Sequence, residues 1–588
     1  MDDQDLRNLY RHAITGALTR RQVLKLAVTF GLAAPTIAAL LAACGGGSST
    51  PTTASSATTT SAATTAPTTS SGATTATSTA TAGATTAPAA TGTASTSADP
   101  ALAPAGKGKI LRMSRNEEPG WPFIGWSSED NSSEFTMINI YDCLVRATKD
   151  GQGYVPALAT NWSTSTDGLT WTFNLRDAKY SDGKTVVAAD VKASLDQART
   201  SPKSQWTDTY KQISEVQAAD DKTVKIVLKQ PHPPLLAELG MWIAQVMPAD
   251  MANAVDQAGY DTYHTRGAGA YMLNGWNHGE VMVLKKNPYY WKGSNGPEEV
   301  HIEFIADDNS RVLKLQGGGT DLIDFVPYNQ IASLNQGSTR AQAFPIQTYT
   351  DVSMNNTIKP LDDKNVRQAL NYATDKDAII KNVFFGQGKV QTSPMPTGLF
   401  WDKSLPGYPF NLDKAKQLMA ASSVPTGFTF NQTVDSGNSV HLQIATILKD
   451  QWSKIGVTVN IVQLEKALYN AQLRNGTSMA WWGGWTNDMS DPTEFANSKL
   501  RGGTTTSFAS FTHYDNPQVD NLIDQADAET DAAKREALYQ QIQQMVLDDA
   551  PHVYLCYPPA TAGWGSYVTG FNIESLDFYH FDEVRVNN

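Results

Sequence analysis

Two periods of apolar residues alternate along the chain after about residue 106, and together they predict mixed helices and strands. Alternation of apolar and polar residues is typical of half-buried strands, whereas spacings of three and four are typical of one helix face. Strands are predicted around 169–175, 224–228, 271–273, 281–284, 457–461, 479–482 and 553–555. Helices are predicted from Ala188 onward, across 366–373, after caps at Asp375 and Asp531, across 442–455 and from Pro517 onward. The pattern therefore indicates an α/β fold.

A tryptophan-rich stretch at 481–492 holds three tryptophans, two glycines and two acids. One interpretation is the edge of a core, followed by a turn before Pro492. The other is a binding site, because aromatic walls and glycines that allow close approach let a carboxylate hold a cation where water screens it little. A predicted strand ends here, and ligands collect at the carboxyl ends of strands in α/β sheets.

The first 44 residues are typical of an export leader. Arg20 and Arg21 lie in a segment that resembles the twin-arginine signal, and an apolar, alanine-rich run follows. The run ends in Leu41-Ala42-Ala43-Cys44, a pattern that resembles a lipobox in which the thiol of Cys44 takes a lipid. The alternative is an uncleaved transmembrane anchor, which Pro35 and the small residues disfavour.

Residues 45–105 consist almost entirely of Thr, Ser, Ala, Gly and Pro. No periodic apolar face offsets the entropy of ordering, so we expect a disordered tether that holds the remaining 483 residues away from a membrane. An adhesive stalk is the other interpretation of this composition.

Charge and cysteine content narrow the function further. The net charge is −12, and an acidic chain without a basic patch is a poor binder of nucleic acid. Besides Cys44 the chain has Cys143 and Cys556, which form either a disulfide or two buried thiols. No cysteine or histidine spacing indicates zinc, so we expect neither a metal nor a cofactor.

Signals for catalysis are weak. The sequence contains no HExxH and no GxSxG motif. The glycines at 317–319 lack the Lys-Ser/Thr of a phosphate loop, and the acidic doublets at 307–308 and 362–363 are typical of solvated loops. His441 and His513 are interpreted as surface or satisfied residues rather than ligands. We therefore expect no enzyme activity, and a surface hydrolase is kept only as an alternative.

Several blocks, in order, resemble the bacterial oligopeptide- and dipeptide-binding lipoproteins of ABC importers, extracellular solute-binding protein family 5. The most specific block is 154–191, which begins YVPALATNW and continues through TWTFNLR and YSDGK to AADV. GAGAY at 267–271, KNPYYW at 286–291 and VRQALNYA at 366–373 match further blocks. The resemblance covers essentially all of 106–588. The resemblance is lost at 115–122, where the family's usual entry segment is absent. In the family, that segment often lines the pocket.

The resemblance implies an α/β, two-lobed fold of the periplasmic-binding-protein type II class, with an extra subdomain in the first lobe. The implied domains are a leader at 1–44, a tether at 45–105, lobe I at 106–348 with a subdomain at about 148–262, lobe II at 349–550, and a return to lobe I at 551–588. The lobes are expected to close over a solute.

The family's Trp-x-x-Asp motif, which pairs with a peptide's amino group, matches Trp485 to Asp488. The expected ligand-binding residues are Trp482, Gly484, Trp485, Asn487 and Asp488. The resemblance implies a monomeric, lipid-anchored protein on the extracytoplasmic face of the membrane that delivers peptides or similar solutes to an ABC permease. Alternatives are a stalked sensory or adhesion receptor, or a family member that binds a glycan or a metal chelate.

Overall fold

The computed structural model describes residues 109–120, 126, 131–254, 265–502 and 509–587. All of them fall within one compact unit. The predicted leader and tether at 1–105, with Arg20, Arg21 and Cys44, lie outside the described residues. Within the described ranges, no helix has both the length and the apolar character needed to cross a bilayer.

Strands and helices alternate through the described chain, as the mixed periodicity predicts. The strands are β1 (Ile110–Arg115), β2 (Val145–Ala147), β3 (Tyr154–Pro156), β4 (Ala159–Thr164), β5 (Thr170–Leu175), β6 (Ile213–Ala218), β7 (Thr223–Leu228), β8 (Tyr271–Asn277), β9 (Val281–Lys286), β10 (Glu299–Phe304), β11 (Leu322–Asp324), β12 (Thr339–Phe344), β13 (Thr348–Met354), β14 (Lys389–Val390), β15 (Phe428–Asp435), β16 (Val457–Leu464), β17 (Ala480–Thr486), β18 (His552–Tyr557), β19 (Ala560–Gly565), β20 (Val568–Thr569) and β21 (Arg585–Val586). The α-helices are α1 (Asn131–Ile140), α2 (Ala188–Thr200), α3 (Leu235–Gly240), α4 (Ala249–Ala254), α5 (Asp308–Gln316), α6 (Ile331–Leu334), α7 (Lys364–Tyr372), α8 (Lys376–Val383), α9 (Leu412–Ala420), α10 (Ser439–Ser453), α11 (Lys466–Arg474), α12 (Thr493–Phe495), α13 (Ala509–Thr512), α14 (Pro517–Ala528) and α15 (Ala532–Asp549).

Local side-chain chemistry fixes the ends of the predicted helices. Asp375 accepts a hydrogen bond from the backbone nitrogen of Ala378 and caps α8, and Asp531 caps α15 in the same way through Lys534. Gly456 follows α10 with a φ of +82°, a left-handed conformation that glycine adopts without strain. Asp307 and Asp363 of the two acidic doublets cap α5 and α7. The predicted caps of α8 and α15 and the glycine after α10 are confirmed.

Two large sheets organise the structure. A seven-stranded sheet has the order β12-β19-β11-β1-β10-β9-β8, and a six-stranded sheet has the order β14-β18-β13-β17-β15-β16. Every residue of β13 and β18 is buried, because helices cover both faces of the six-stranded sheet at its centre. We call residues 109–344 and 560–587 the seven-stranded unit, and residues 348–557 the six-stranded unit.

A smaller four-stranded sheet, β4-β5-β7-β6, lies within the segment predicted as an extra subdomain. Phe173, Val224 and Ile226 are fully buried on one face of it, and α2 packs against β6 and β7 there. The alternation that predicted these strands therefore reflects one covered face and one solvated face.

The chain changes sheets twice. It leaves the seven-stranded sheet after β12 and enters the six-stranded sheet at β13, close to the crossing expected near 349. It returns between β18 and β19, at Pro558 and Pro559. The expected return at 551 thus lies before β18, which still pairs with β13. The pattern around 553–555 predicts a strand, but it carries no information on which sheet the strand joins.

Cys143 and Cys556 are free and buried, so the prediction of two buried thiols is confirmed and that of a disulfide is not. Cys556 lies in β18 of the six-stranded sheet, whereas Cys143 follows α1 in the seven-stranded unit, where its thiol donates to the carbonyl of Met241.

Candidate ligand-binding cleft

A cavity of about 720 Å³ receives side chains from both units. Its size lies in the range of clefts that enclose small molecules. Residues of the seven-stranded unit that line it include Glu134, Trp206, His232, Glu238 and Trp242. Residues of the six-stranded unit include Tyr349, His441, Trp482, Gly484, Trp485, Asp488, Glu494, Lys499 and Asp527.

Strand β17 brings the tryptophan-rich stretch to this cavity. It pairs along its whole length with β13, with Trp485 opposite Tyr349 and Trp482 opposite Val352. A Cβ on Gly483 would lie 2.0 Å from Asp351 Oδ1, so only glycine fits there without moving a buried carboxylate. The glycines of the motif therefore allow β17 to lie against β13, and Gly484 contributes its backbone to the cavity.

Trp482 and Trp485 form two aromatic walls. The ring of Trp482 stacks on the imidazole of His441, with centroids 4.2 Å apart. Burial lowers the pKa of His441 to about 3, so this imidazole is neutral at pH 7. The ring of Trp485 contacts Phe495 edge-on, and the ammonium of Lys499 lies 5.5 Å from its centroid. His441, interpreted from the sequence as a surface or satisfied residue, is instead part of the cleft wall.

Asp488 lies two residues after the end of β17 and is half-buried at the cavity. Its backbone nitrogen donates to Glu494 Oε2 at 3.2 Å. Burial raises the pKa of the Asp488 carboxyl. Burial and then the charge of Asp488 raise the pKa of Glu494 well above its ordinary value. The raised pKa of both carboxyl groups shows that this part of the cavity disfavours two negative charges.

The neighbouring acid, Asp491, is already paired. Its two oxygens accept from the terminal nitrogens of Arg535 at 2.5 and 2.7 Å, and Oδ1 also accepts from the backbone nitrogen of Thr493 at 2.9 Å. Both members of this ion pair are buried. Asp491 therefore holds the turn after β17 in place and is not a residue lining the cavity.

Asn487 also points away from the cavity and is not among its lining residues. Its side-chain nitrogen donates to Gln347 Oε1 at 3.1 Å, and its backbone nitrogen donates to the carbonyl of Gln347 at 2.9 Å. Gln347 lies in the segment that connects the two sheets, and its amide donates to Gly151 in the seven-stranded unit at 3.2 Å. Asn487 thus links the ligand-side turn to the crossing segment. Four of the five expected ligand-binding residues line the cavity, and Asn487 is the exception.

Sequence reasoning missed the acids that complete the cavity. Glu134 lies on α1, Glu238 on α3 and Asp527 on α14, all far from the tryptophan-rich stretch along the chain. His232 Nε2 and Glu238 Oε1 are 2.7 Å apart and buried together. Glu494 lies two residues after Pro492, next to the tryptophan-rich stretch. No known motif distinguishes it from an ordinary residue of the following helix. In the described ranges, no cluster of His, Cys, Asp and Glu is arranged to hold a metal ion.

Two large sheets whose units together line one cavity with aromatic walls, and a carboxyl group just after a strand, are typical of solute-binding proteins. The sequence model of the bacterial extracellular solute-binding proteins, family 5 middle, matches residues 153–507. The chain belongs to this family, and its fold is the type II periplasmic-binding class.

Individual relatives support the assignment across most of the chain. The chain is 30% identical over 454 residues to the "Probable D,D-dipeptide-binding periplasmic protein DdpA" of Escherichia coli, covering 75% of this chain and 87% of that protein. It is 28% identical over 489 residues to heme-binding protein A of Haemophilus influenzae, covering 78% and 89%. The structure of the periplasmic binding protein DppA from Helicobacter pylori, in complex with the peptide STSA, is similar with a TM-score of 0.73 and 26% identity, covering 82% and 98%.

The relatives are substrate-binding proteins rather than enzymes, and members of the family act outside the cytoplasm. The chain is accordingly a solute-binding protein of the ABC importer family.

Proposed function

We propose that this protein captures peptides or similar amine-bearing solutes between its two units and delivers them to the permease of an ABC importer. One observation carries the proposal: the Asp488 carboxyl lies at a cavity of about 720 Å³ whose walls include Trp482 and Trp485. The peptide-binding names of DdpA and DppA support a peptide as the ligand class.

Asp488 is the residue that pairs with the ligand's cationic amine. A carboxylate beside aromatic rings is poorly screened by water, so an ammonium placed there gains more than it would at an exposed site. The rings of Trp482 and Trp485 offer faces to the apolar part of the ligand and attract its positive charge. Asp491 is unsuited to this role because Arg535 already occupies both of its oxygens.

Gly484 and Asn487 act on the ligand in different ways. Gly484 presents backbone to the cavity, where an extended peptide finds hydrogen-bonding partners. Asn487 positions the Asp488 turn through its two bonds to Gln347. We therefore assign Asn487 a positioning role instead of the ligand contact expected from the sequence.

Closure of the two units over the solute is the means of capture. The units are connected where the chain crosses between sheets, at 345–347 and at Pro558 and Pro559, and such crossings are suited to a hinge. We propose that lobe I comprises 106–344 with the return from 560 and that lobe II comprises 348–557. The subdomain at about 148–262 belongs to lobe I.

The twin-arginine leader, Cys44 and the tether at 45–105 place the protein at the membrane. Export of the folded chain is followed by lipid attachment at Cys44, and the tether gives the monomer the reach to meet its permease. A sensory or adhesion receptor would share this anchor but would require no permease.

Native mass spectrometry of the purified protein, followed by calorimetry, tests the proposal. We expect a carried-over solute that bears a free amine, and binding of a tripeptide such as Ala-Ala-Ala but not of its N-acetylated form. Equal affinity for both forms contradicts an amine site at Asp488 and favours a neutral solute such as a glycan. Loss of solute uptake when the permease of the importer is deleted supports an importer, whereas unchanged uptake favours a receptor.

A further inference from the structure

Carboxyl groups outnumber cationic side chains around the cleft cavity. Of the described residues, six with carboxyl side chains line it, against three with lysine or arginine side chains. One of these three, Arg501, is already bonded to Asp524 at 2.7 Å. The carboxyl side chains are those of Glu134, Asp208, Glu238, Asp488, Glu494 and Asp527. A lining of this kind favours a ligand with more than one positive charge.

Glu494 is the most informative of these acids. Its side chain is 6% exposed, and Oε2 accepts from the backbone nitrogen of Asp488. The other oxygen, Oε1, is buried and has no hydrogen-bond partner among the described residues, although Glu494 lines the cavity. A buried acceptor left unpaired is costly, so an orphan oxygen at a ligand cavity indicates a donor that the ligand brings.

A third carboxyl group approaches from the opposite unit. Glu134 on α1 is 5% exposed, and its carboxyl lies within hydrogen-bonding reach of the Asp488 carboxyl. Arg535, on the neighbouring helix α15, does not neutralise the group because Asp491 holds its two terminal nitrogens. Asp488, Glu494 and Glu134, which we call the carboxyl triad, therefore meet where the two units face each other.

Resting on the proposed function, we infer that the carboxyl triad selects solutes with a second positive charge beside the amine, such as a peptide whose first residue is Lys or Arg. Glu494 and Glu134 are the specificity-determining residues, and Asp488 keeps the amine. The class of ligand is a compact solute that has two neighbouring cationic groups.

The charges of the triad explain why one cation is not enough. An ammonium brings three N–H donors but a single charge, so pairing it with Asp488 gives Glu494 no counter-charge from the ligand. Glu494 must then hold a proton, which agrees with its raised pKa, caused by burial and by Asp488. A second ammonium or a guanidinium supplies both the charge and the donor that Glu494 Oε1 lacks.

Calorimetry with Lys-Ala-Ala and Ala-Ala-Ala tests this inference. We expect the wild type to bind Lys-Ala-Ala at least about tenfold more tightly, a discrimination that corresponds to one desolvated charge contact. Glu494→Gln keeps an oxygen that accepts from the Asp488 nitrogen, so we expect it to remove most of this preference while changing the affinity for Ala-Ala-Ala little. Glu134→Gln is expected to act in the same direction.

Asp527→Asn is the matched control. Asp527 also lines the cavity, but its carboxylate is occupied by Thr493 and by Asn497, whose side-chain nitrogen lies 2.9 Å away. We expect this variant to keep the preference for Lys-Ala-Ala. An equal loss in Asp527→Asn assigns the preference to overall charge and overturns the inference, and so does an equal weakening of both peptides by Glu494→Gln.

A second pair of probes separates this inference from the proposed function. If neither peptide binds, 1,5-diaminopentane and pentylamine are compared on the same variants. A preference for the diamine that Glu494→Gln removes supports the carboxyl triad and contradicts peptide binding. Absence of binding by either amine, or equal binding of both, overturns the triad as a dication site.

Discussion

Asp491 and Arg535 form a buried ion pair in which both oxygens of the acid meet both terminal nitrogens of the guanidinium, at 2.5 and 2.7 Å. Among the residues that the structure describes, Asp488, three residues earlier, has no such partner, and it lines the cavity. The two acids of this short motif thus differ: Asp491 fixes the turn after β17, whereas Asp488 lines the cavity, where we propose that it meets the solute.

Removing the guanidinium of Arg535 should therefore lower the stability of the six-stranded unit without removing a side chain that lines the cavity. Arg535→Met leaves Asp491 buried and unpaired, and we expect a loss of about 3–5 kcal/mol in the free energy of unfolding. Urea denaturation measures it. Lys454→Met, which removes an exposed pair with Asp450, is the control and is expected to cost less than about 1 kcal/mol. If Arg535→Met costs as little as Lys454→Met, Asp491 is hydrated by solvent when the guanidinium is absent.

Asp488→Asn should weaken binding without weakening the fold. Breaking a desolvated ammonium–carboxylate pair costs about 2–5 kcal/mol, so we expect amine-bearing ligands to bind at least about 30-fold less tightly. Calorimetry with a free peptide measures the loss, and thermal unfolding checks the fold. Asp450→Asn, an exposed acid on α10, serves as the matched control and should bind normally. Unchanged affinity in Asp488→Asn would remove this residue from the amine site.

Cys44→Ser should separate export from anchoring. In the proposed route, Arg20 and Arg21 direct the folded chain across the membrane, and the thiol of Cys44 then takes the lipid. We expect the variant to be released from the membrane or to accumulate as an unprocessed precursor. Fractionation and lipid labelling of the two forms measure this. Normal lipid labelling of Cys44→Ser would contradict attachment at Cys44, and unchanged export of an Arg20→Lys, Arg21→Lys variant would contradict the twin-arginine route.

Saturating ligand should make the folded part more compact. The units meet at two crossings, and a ligand that binds the closed form better shifts the population toward closure. Small-angle scattering of residues 106–588 with and without the carried-over solute measures the change in radius of gyration. An unchanged radius at saturation would indicate a rigid receptor in which the cavity is already closed.

Lys376 should make stability depend on pH in the alkaline range. Burial lowers its pKa to about 7, although its ammonium also donates to the carbonyls of Asn371 and Tyr408. Above pH 7 the folded state loses this proton, whereas the unfolded state keeps it until about pH 10.4. The unfolded state thus binds more protons, so the free energy of unfolding rises with pH across this window, by up to about 1.4 kcal/mol per pH unit.

Urea denaturation at pH 7 and pH 9 measures this slope. Lys376→Met should lose the contribution, so the difference in unfolding free energy between the two pH values should be smaller than in the wild type. Lys381→Met, on the solvent side of the same helix, should leave the slope unchanged. A wild-type slope in Lys376→Met would show that the buried amine remains charged.

The sequence predicts much of the fold because the deciding contacts are local. The cap at Asp375 and the glycine stop at Gly456 each act within one turn of a helix, and the alternation around Phe173 reflects one covered face of a sheet. The point at which the chain returns to the seven-stranded sheet is harder to predict from the sequence. Whether β18 pairs with β13 or with a strand of the other sheet depends on contacts some 200 residues away, which no local pattern records.

The cleft shows the same division. Asp488 and its tryptophans are neighbours in sequence, so one motif reveals them together. Glu134 and Glu238 reach the cavity from helices of the other unit, and each looks like an ordinary surface acid in its own segment. For Asn487 the motif predicts a ligand contact that the structure does not support. Its side chain is hydrogen-bonded to Gln347 instead.

The two buried thiols make the protein a convenient scaffold for a fluorescent sensor. A chain that begins at residue 106 contains only Cys143 and Cys556, and burial raises the pKa of both thiols well above its usual range. Maleimide dyes react with exposed thiolates, so cysteines introduced on the surface of each unit can be labelled while the native pair stays silent. A dye on either side of the cleft then converts solute capture into an optical signal without first removing a native cysteine.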